Sequence, residues 1–333
     1  MASVRGDVAA VVAPRSARPA EPVVTALDER VDGSPNTRAA GVIAVLSASA
    51  FWSFGGVLGK STGASGIVLS FWRMLISTFV LFTVSAVMHR WPSRRDIRTS
   101  ALAGVLFGLN ICCFFITLQY TTIAVALIIG ALSPVVALPI AVAFMGERAT
   151  TVKIVCALAA VAGVVVAVLF APSADDGAGT KPIGYVWAVI SLLVWVMYLL
   201  QTKRVRATVE TVRYMTCVSA IGACTVGVLA LVTRSHMAQI HGAGWLWVTL
   251  LAIGPGIAGH GLVAWAQPRV DASVTSVLIQ LEPVGASIAA WAFLGERVSL
   301  LQGVAMTGVV GALCVLAYSE SLERHVVIDE GLG

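Results

Sequence analysis

PVVALPIAVAFMGER at residues 134–148 and PVGASIAAWAFLGER at residues 283–297 decide the fold of this chain. Both begin on a proline and a valine (Pro134-Val135, Pro283-Val284). They end on Gly146-Glu147-Arg148 and Gly295-Glu296-Arg297, and they lie 149 residues apart. The segment has been duplicated. The number of hydrophobic stretches between the copies then sets the architecture, because an odd number points the copies at opposite faces of a membrane.

Composition makes a membrane the solvent. Of the 333 residues, 58% are hydrophobic and only 12% charged, with a mean hydropathy of +0.90. A soluble surface needs about 25% charged residues. A hydrocarbon core about 30 Å thick takes roughly 20 apolar residues per helix. Ten such stretches are present, at 40–60, 66–88, 99–118, 122–144, 152–170, 183–201, 211–233, 245–265, 273–294 and 301–318. Each is continuously apolar rather than alternating, which predicts helices and not barrel strands.

A second duplication fixes the count. Gly41, Trp52 and Lys60 in the first stretch are matched by Gly184, Trp195 and Lys203 in the sixth, with identical gaps. Five stretches therefore repeat as five, and because five is odd the second set is inverted relative to the first. The expected fold is an all-α membrane protein of ten transmembrane helices in two inverted five-helix repeats. The expected domains are a disordered cytoplasmic tail (1–39), a first repeat (40–170), an outer linker (171–182), a second repeat (183–318) and a cytoplasmic C-terminal tail (319–333).

Charge sets the orientation. With a cytoplasmic N-terminus, 17 of the 22 lysines and arginines fall in inside segments, and only Lys60, Lys181, Arg234 and Arg297 fall outside. Basic loops stay on the cytoplasmic side, so both termini are expected there and the protein is expected in the plasma (inner) membrane of a bacterium. The net charge of +5 is then directed at anionic headgroups and not at nucleic acid.

Other classes are disfavoured by what the motifs lack. The six cysteines lie inside the stretches without metal-ligand spacing, and His236 and His241 have no third ligand beside them, so no metal site is expected. Gly254-Pro255-Gly256-Ile257-Ala258-Gly259 matches a dinucleotide fingerprint in letters only, since no strand precedes it and it lies in an apolar span, where close packing and local unwinding explain it. There is no phosphate-binding P-loop motif, and no cofactor is expected.

At these residues the chain resembles the drug/metabolite transporter superfamily, specifically its ten-helix EamA-type members. The resemblance rests on the proline, apolar run and Gly-Glu-Arg pattern, the Trp-rich first helix ending in Lys60, Arg73 in the second helix, and Leu118-Gln119-Tyr120-Thr121. It covers nearly all of 40–318. It implies transport of small metabolites or drugs, driven by an ion gradient or by exchange, through a cavity lined mainly by helices 1, 3, 4, 6, 8 and 9, with helices 5 and 10 to one side.

The residues themselves suggest where the chemistry lies. Ionisable groups inside spans cost several kcal/mol unless paired or wetted, and only Arg73, His260 and Glu282 qualify. Glu282 is a candidate for proton coupling or for a cationic substrate group, against a protonated carboxyl bonded to carbonyls freed by Pro283. Arg73 has three readings: snorkelling, pairing with Glu282, or attracting an anionic substrate. His260 is either a proton relay or a neutral, hydrogen-bonded imidazole. Trp52, Asn110, Gln119, Trp195, Trp265 and Gln280 complete the expected pocket, which would suit a neutral, zwitterionic or amphipathic solute. Pro134 and Pro283 are hinges or fitted bends. Gly146 and Gly295 suit sharp turns, and Glu147 and Glu296 are placed to cap the fifth and tenth helices, beside Arg148 and Arg297. The two copies differ most where Ser133 in one stands at the position of Glu282 in the other.

The expected function is secondary transport of a small molecule, export rather than import, coupled to protons or another ion or run by exchange. A membrane enzyme or a non-transporting receptor on the same bundle is the alternative. No cluster of nucleophile, base or metal ligands at one interface supports it, and the protein is not expected to be an enzyme.

Overall fold

The computed structural model describes residues 35–121, 123–170, 181–294 and 299–330, and the second Gly-Glu-Arg copy at 295–297 lies outside them. Among the described residues all regular structure is helical. The elements are α1 (Pro35–Trp52), α2 (Gly55–Ser61), α3 (Gly66–Val87), α4 (Arg94–Tyr120), α5 (Ile123–Gly130), α6 (Ser133–Met145), α7 (Thr151–Leu169), α8 (Pro182–Arg206) and α9 (Thr211–Val232). Next comes α10 (Gly244–Leu251), which passes through π-helical turns (Ala252–Gly259) into α11 (His260–Ala266). The chain ends in α12 (Ala272–Leu278), α13 (Leu281–Leu294) and α14 (Leu300–Glu330).

Among the described residues six helical stretches are long and apolar enough to cross a bilayer: Thr37–Ser61, Gly66–Val87, Arg94–Tyr120, Pro182–Arg206, Thr211–Val232 and Gly244–Ala266. Ser133–Met145, Thr151–Val166 and Gly303–Leu316 are shorter apolar helices. Large apolar side chains cover the outside of the bundle, with Phe79, Phe144 and Leu231 each more than two-thirds exposed, as lipid contact requires.

Several spans expected to be continuous are interrupted, and each break has a local cause. The first is divided at Ser53 and Phe54, where the Ser49 and Ser53 hydroxyls donate to the carbonyls four residues back (3.1 and 2.9 Å). Such back-bonding competes with the helical ladder and bends it. The stretch at 122–144 divides into α5 and α6, and that at 273–294 into α12 and α13. Pro134 and Pro283 therefore do not kink the middle of a helix. They stand in the first turn of α6 and α13, because a proline clashes with the carbonyl four residues earlier and lacks an N–H, so the preceding helix stops short. The eighth stretch keeps its length but unwinds to π geometry around Gly254-Pro255-Gly256, which again removes one donor from the ladder.

The last helix runs on to Glu330 instead of ending near 318. It packs against α7, and neither contributes a residue to the central cavity described below. The core is built around α4, which packs on α8 and α9, and around α1, which packs on the π-helical turns and α11.

Candidate functional site

A cavity of about 150 Å³, room for several water molecules, opens where the helix breaks meet. Its wall takes residues from α1 to α6, from α8, from the α10 to α11 stretch, and from the α12/α13 break. Of the residues singled out from sequence, Trp52, Arg73, Asn110, Trp195, His260, Gln280, Glu282 and Pro283 line it, and so does Ser133.

Two expected members lie elsewhere. Gln119 is exposed near the end of α4, and Trp265 faces away, with the Arg269 guanidinium 3.8 Å from its ring centroid. Pro134 sits behind the wall, next to Lys153 and Ser273. Conversely Phe114, Phe115 and Ser191 line the cavity without any distinguishing signal in the sequence. Two Phe in an apolar run look like any other membrane-facing pair until the register of the helix is known.

The breaks are tied to one another. Gln280, between α12 and α13, donates its amide to the carbonyl of Ala131, between α5 and α6. Ser53, between α1 and α2, donates to the backbone carbonyl of Glu282 (3.2 Å). Trp52 donates Nε1–H to the Pro255 carbonyl in the π-helical turns (2.9 Å). That contact depends on Gly259, since a Cβ there would lie 2.4 Å from Trp52 Nε1. Asn110 donates to the Ser191 carbonyl (3.2 Å), joining α4 to α8.

Aromatic rings enclose one side. Trp52 and Trp195 meet edge to face, 5.5 Å apart at 86°. His260 is surrounded by Trp52 (4.8 Å), Phe107 (4.6 Å), Trp195 and Tyr198 (both 6.1 Å). Its Nδ1 is buried with no hydrogen-bond partner. Among the described residues neither a relay partner nor a satisfying carbonyl accompanies that nitrogen.

Among the described residues the ionisable groups of the cavity have no ion-pair partner. Arg73 is 4% exposed and lies over the face of Phe115, 5.8 Å from the centroid, without a hydrogen bond or carboxylate partner among the described residues. The expected alternative of pairing with Glu282 is not realised, although both line the same space. Arg73 is set back from both ends of its helix. It lies two turns into α3, about 10 Å from the start of that helix at 1.5 Å per residue.

A second cluster, at one end of the bundle, is paired throughout. Glu147, expected to cap the helix that follows it, instead caps α12: it accepts from Ala272 N (2.8 Å), Ser273 N (3.2 Å) and Ser273 Oγ (2.6 Å). Gly146 makes this possible. It ends α6 in the left-handed region (φ 68°), which turns the chain away from the helix axis and toward α12. Lys203 bonds Glu147 (2.8 Å) and Asp271 (3.4 Å), Lys153 bonds Asp271 (2.6 Å), and Arg38 stands 3.9 Å from it. Burial raises the Glu147 carboxyl, but Lys203 and Ser273 outweigh it and hold the group below its ordinary value. Asp271 likewise is raised by burial and drawn below its ordinary value by Lys203, Lys153 and Arg38. Arg148 is exposed.

The model of the EamA-like transporter family matches residues 39–169 and matches again at residues 182–318. The chain belongs to the EamA-like transporter family. Among EamA-like relatives, the uncharacterized inner membrane transporter YhbE of Escherichia coli K12 is 28% identical over 227 residues, covering 64% of this chain and 68% of that protein. YhbE of Shigella flexneri matches to the same extent. A solved crystal structure superposes with a TM-score of 0.69 at 22% identity, over 84% of this chain and 98% of its own, which shows a shared fold. This EamA-like protein is a membrane transporter.

Proposed function

We propose that the protein is a secondary transporter that exports a small solute across the plasma membrane by alternating access, with the central cavity as its solute site. In this reading α1 with α2, α5 with α6, α10 with α11 and α12 with α13 are each one broken span. The ten spans then form two inverted sets of five, and the distribution of basic residues puts both termini in the cytoplasm.

Contact between positions matched in the two halves carries the reading. Trp52 touches its counterpart Trp195, and Gln280 bonds Ala131, the residue 149 positions earlier. Gly41 packs against Arg269 and Val270, and its counterpart Gly184 packs against Tyr120 and Thr121, which lie 149 positions before them. Two halves related by a pseudo-twofold axis through the cavity account for all three pairs, and the paired cluster around Glu147 would close one end in this conformation. Discontinuous helices at the axis are the common form of a midplane solute site. Glu282, at the cavity where the other half has Ser133, is the proposed coupling group.

The test is flux in liposomes under an imposed proton gradient, with amino acids, nucleosides and anionic and cationic test solutes. Export predicts faster uptake into everted than into right-side-out vesicles. Absence of flux for every solute in both polarities would overturn the proposal. Glu282→Gln is expected to lose the proton dependence while retaining exchange, and full proton-dependent flux in that variant would remove Glu282 from the mechanism.

A further inference from the structure

Arg73 presents a problem that the reading above does not resolve. A guanidinium cannot shed its charge in a protein, and a buried charge without a counter-charge costs several kcal/mol. Glu282 can take up a proton and become neutral; Arg73 has no such recourse. Every other polar side chain bonded at the cavity wall, Trp52, Asn110 and Gln280 among them, is turned onto a protein carbonyl. Arg73 faces the same cavity with no hydrogen bond or ion pair among the described residues, and its guanidinium lies over the face of Phe115. Gly256 of the π-helical turns lies alongside, where a Cβ would be in ordinary contact with Arg73 Nε at 3.5 Å.

Two further features point to the same occupant. The buried Nδ1 of His260 lacks a partner, which leaves a second polar group for a ligand to engage. The N-terminal turn of α6 opens at the cavity through Ser133, and a helix N-terminus favours negative charge. Around these groups the wall is aromatic: Trp52, Trp195, Phe114 and Phe115.

We propose that Arg73 is the anion-binding residue of the cavity, and that the solute carries a carboxylate, or a similar singly charged anion, on a flat aromatic body. This rests on the cavity being the solute site. The carboxylate would supply the counter-charge that the fold withholds, in the two-point geometry that a guanidinium offers. The ring would lie against the tryptophans.

Calorimetric titration of the full-length protein in detergent with benzoate, benzamide and benzylammonium tests this, because the three probes share a shape and differ in charge. Benzoate is expected to bind at least about tenfold more tightly than the other two. Arg73→Gln should lose that preference while still binding benzamide, and Arg73→Lys should keep part of it. Equal binding of benzamide or benzylammonium by the parent protein overturns the proposal, as do undiminished benzoate binding in Arg73→Gln and failure of all three probes to bind. A melting temperature matching the parent confirms that Arg73→Gln folds. Liposome flux separates the two readings: transport of an anionic solute at full rate in Arg73→Gln leaves the carrier standing and removes the anion site. If no solute crosses, the carrier reading falls while the benzoate titration still decides the site.

Discussion

Arg73 and Arg206 are equally buried, at 4% and 5% exposure, yet the chain treats them in opposite ways. At the end of α8, Arg206 donates Nε–H to the Ala264 carbonyl (2.8 Å), Nη2–H to Thr211 Oγ1 (2.6 Å) and Nη1–H to the Val209 carbonyl. Its guanidinium ties α8 to α9 and α11 and has a fixed structural task. Arg73 has no hydrogen bond among the described residues. The carboxylates divide in the same way: Glu147 is bonded on both oxygens, whereas the Glu282 side chain lines a cavity without an ion-pair partner among the described residues. Buried charge that is paired holds elements together, and buried charge left unpaired retains its capacity for something that comes and goes.

Breaking the paired side should have the largest effect. Glu147→Ala takes from Lys203 its closest partner and leaves two amides of α12 without their acceptor, and is expected to lower unfolding stability in detergent by about 3 kcal/mol. The same group sets an acid limit. Glu147 and Asp271 have values depressed by folding, so their contribution is present at neutral pH and is lost as pH falls through those lowered values. The melting temperature of the parent should hold from pH 7 to about 5 and fall below about 4, and the fall should shrink in Glu147→Gln. A melting temperature flat across the acid range would mean that the cluster adds nothing to stability. Next in size, Arg206→Met should cost about 2 kcal/mol, because three oxygens lose their donor. The smallest effect is the sharpest test: Arg73→Gln is expected to leave thermal stability unchanged or to raise it slightly. A loss comparable to that of Arg206→Met would erase the distinction between the two arginines.

Much of this fold was legible before any coordinates. Continuous apolar stretches mark the spans, and the matched Gly, Trp and Lys positions mark the two halves that the family matches also delimit. The prolines announce irregular backbone, as a hinge or a fitted bend within a span, but a missing donor and a ring clash instead start new helices at Ser133 and Leu281. The partner of Glu147 was not legible. A cap is recognised by its neighbours in sequence, and Ala272 lies 125 positions away. Trp265 and Gln119 were misplaced for a related reason: a few tens of degrees about a helix axis separate a wall residue from a lipid-facing or end-facing one, and apolar spans carry no polar stripe to fix that rotation. For Arg73 the residue was evident and its solitude was not, since the absence of a partner is a property of three dimensions.

The edge-to-face pair of Trp52 and Trp195 has one more consequence. Two identical side chains on a symmetry axis can stack face on face as equals, but at 86° one must offer its rim and the other its plane. Such a pair is intrinsically lopsided, like a coin that has landed. If the two halves trade environments, the indoles must trade parts, and the orientation of these rings would then report which way the molecule is facing.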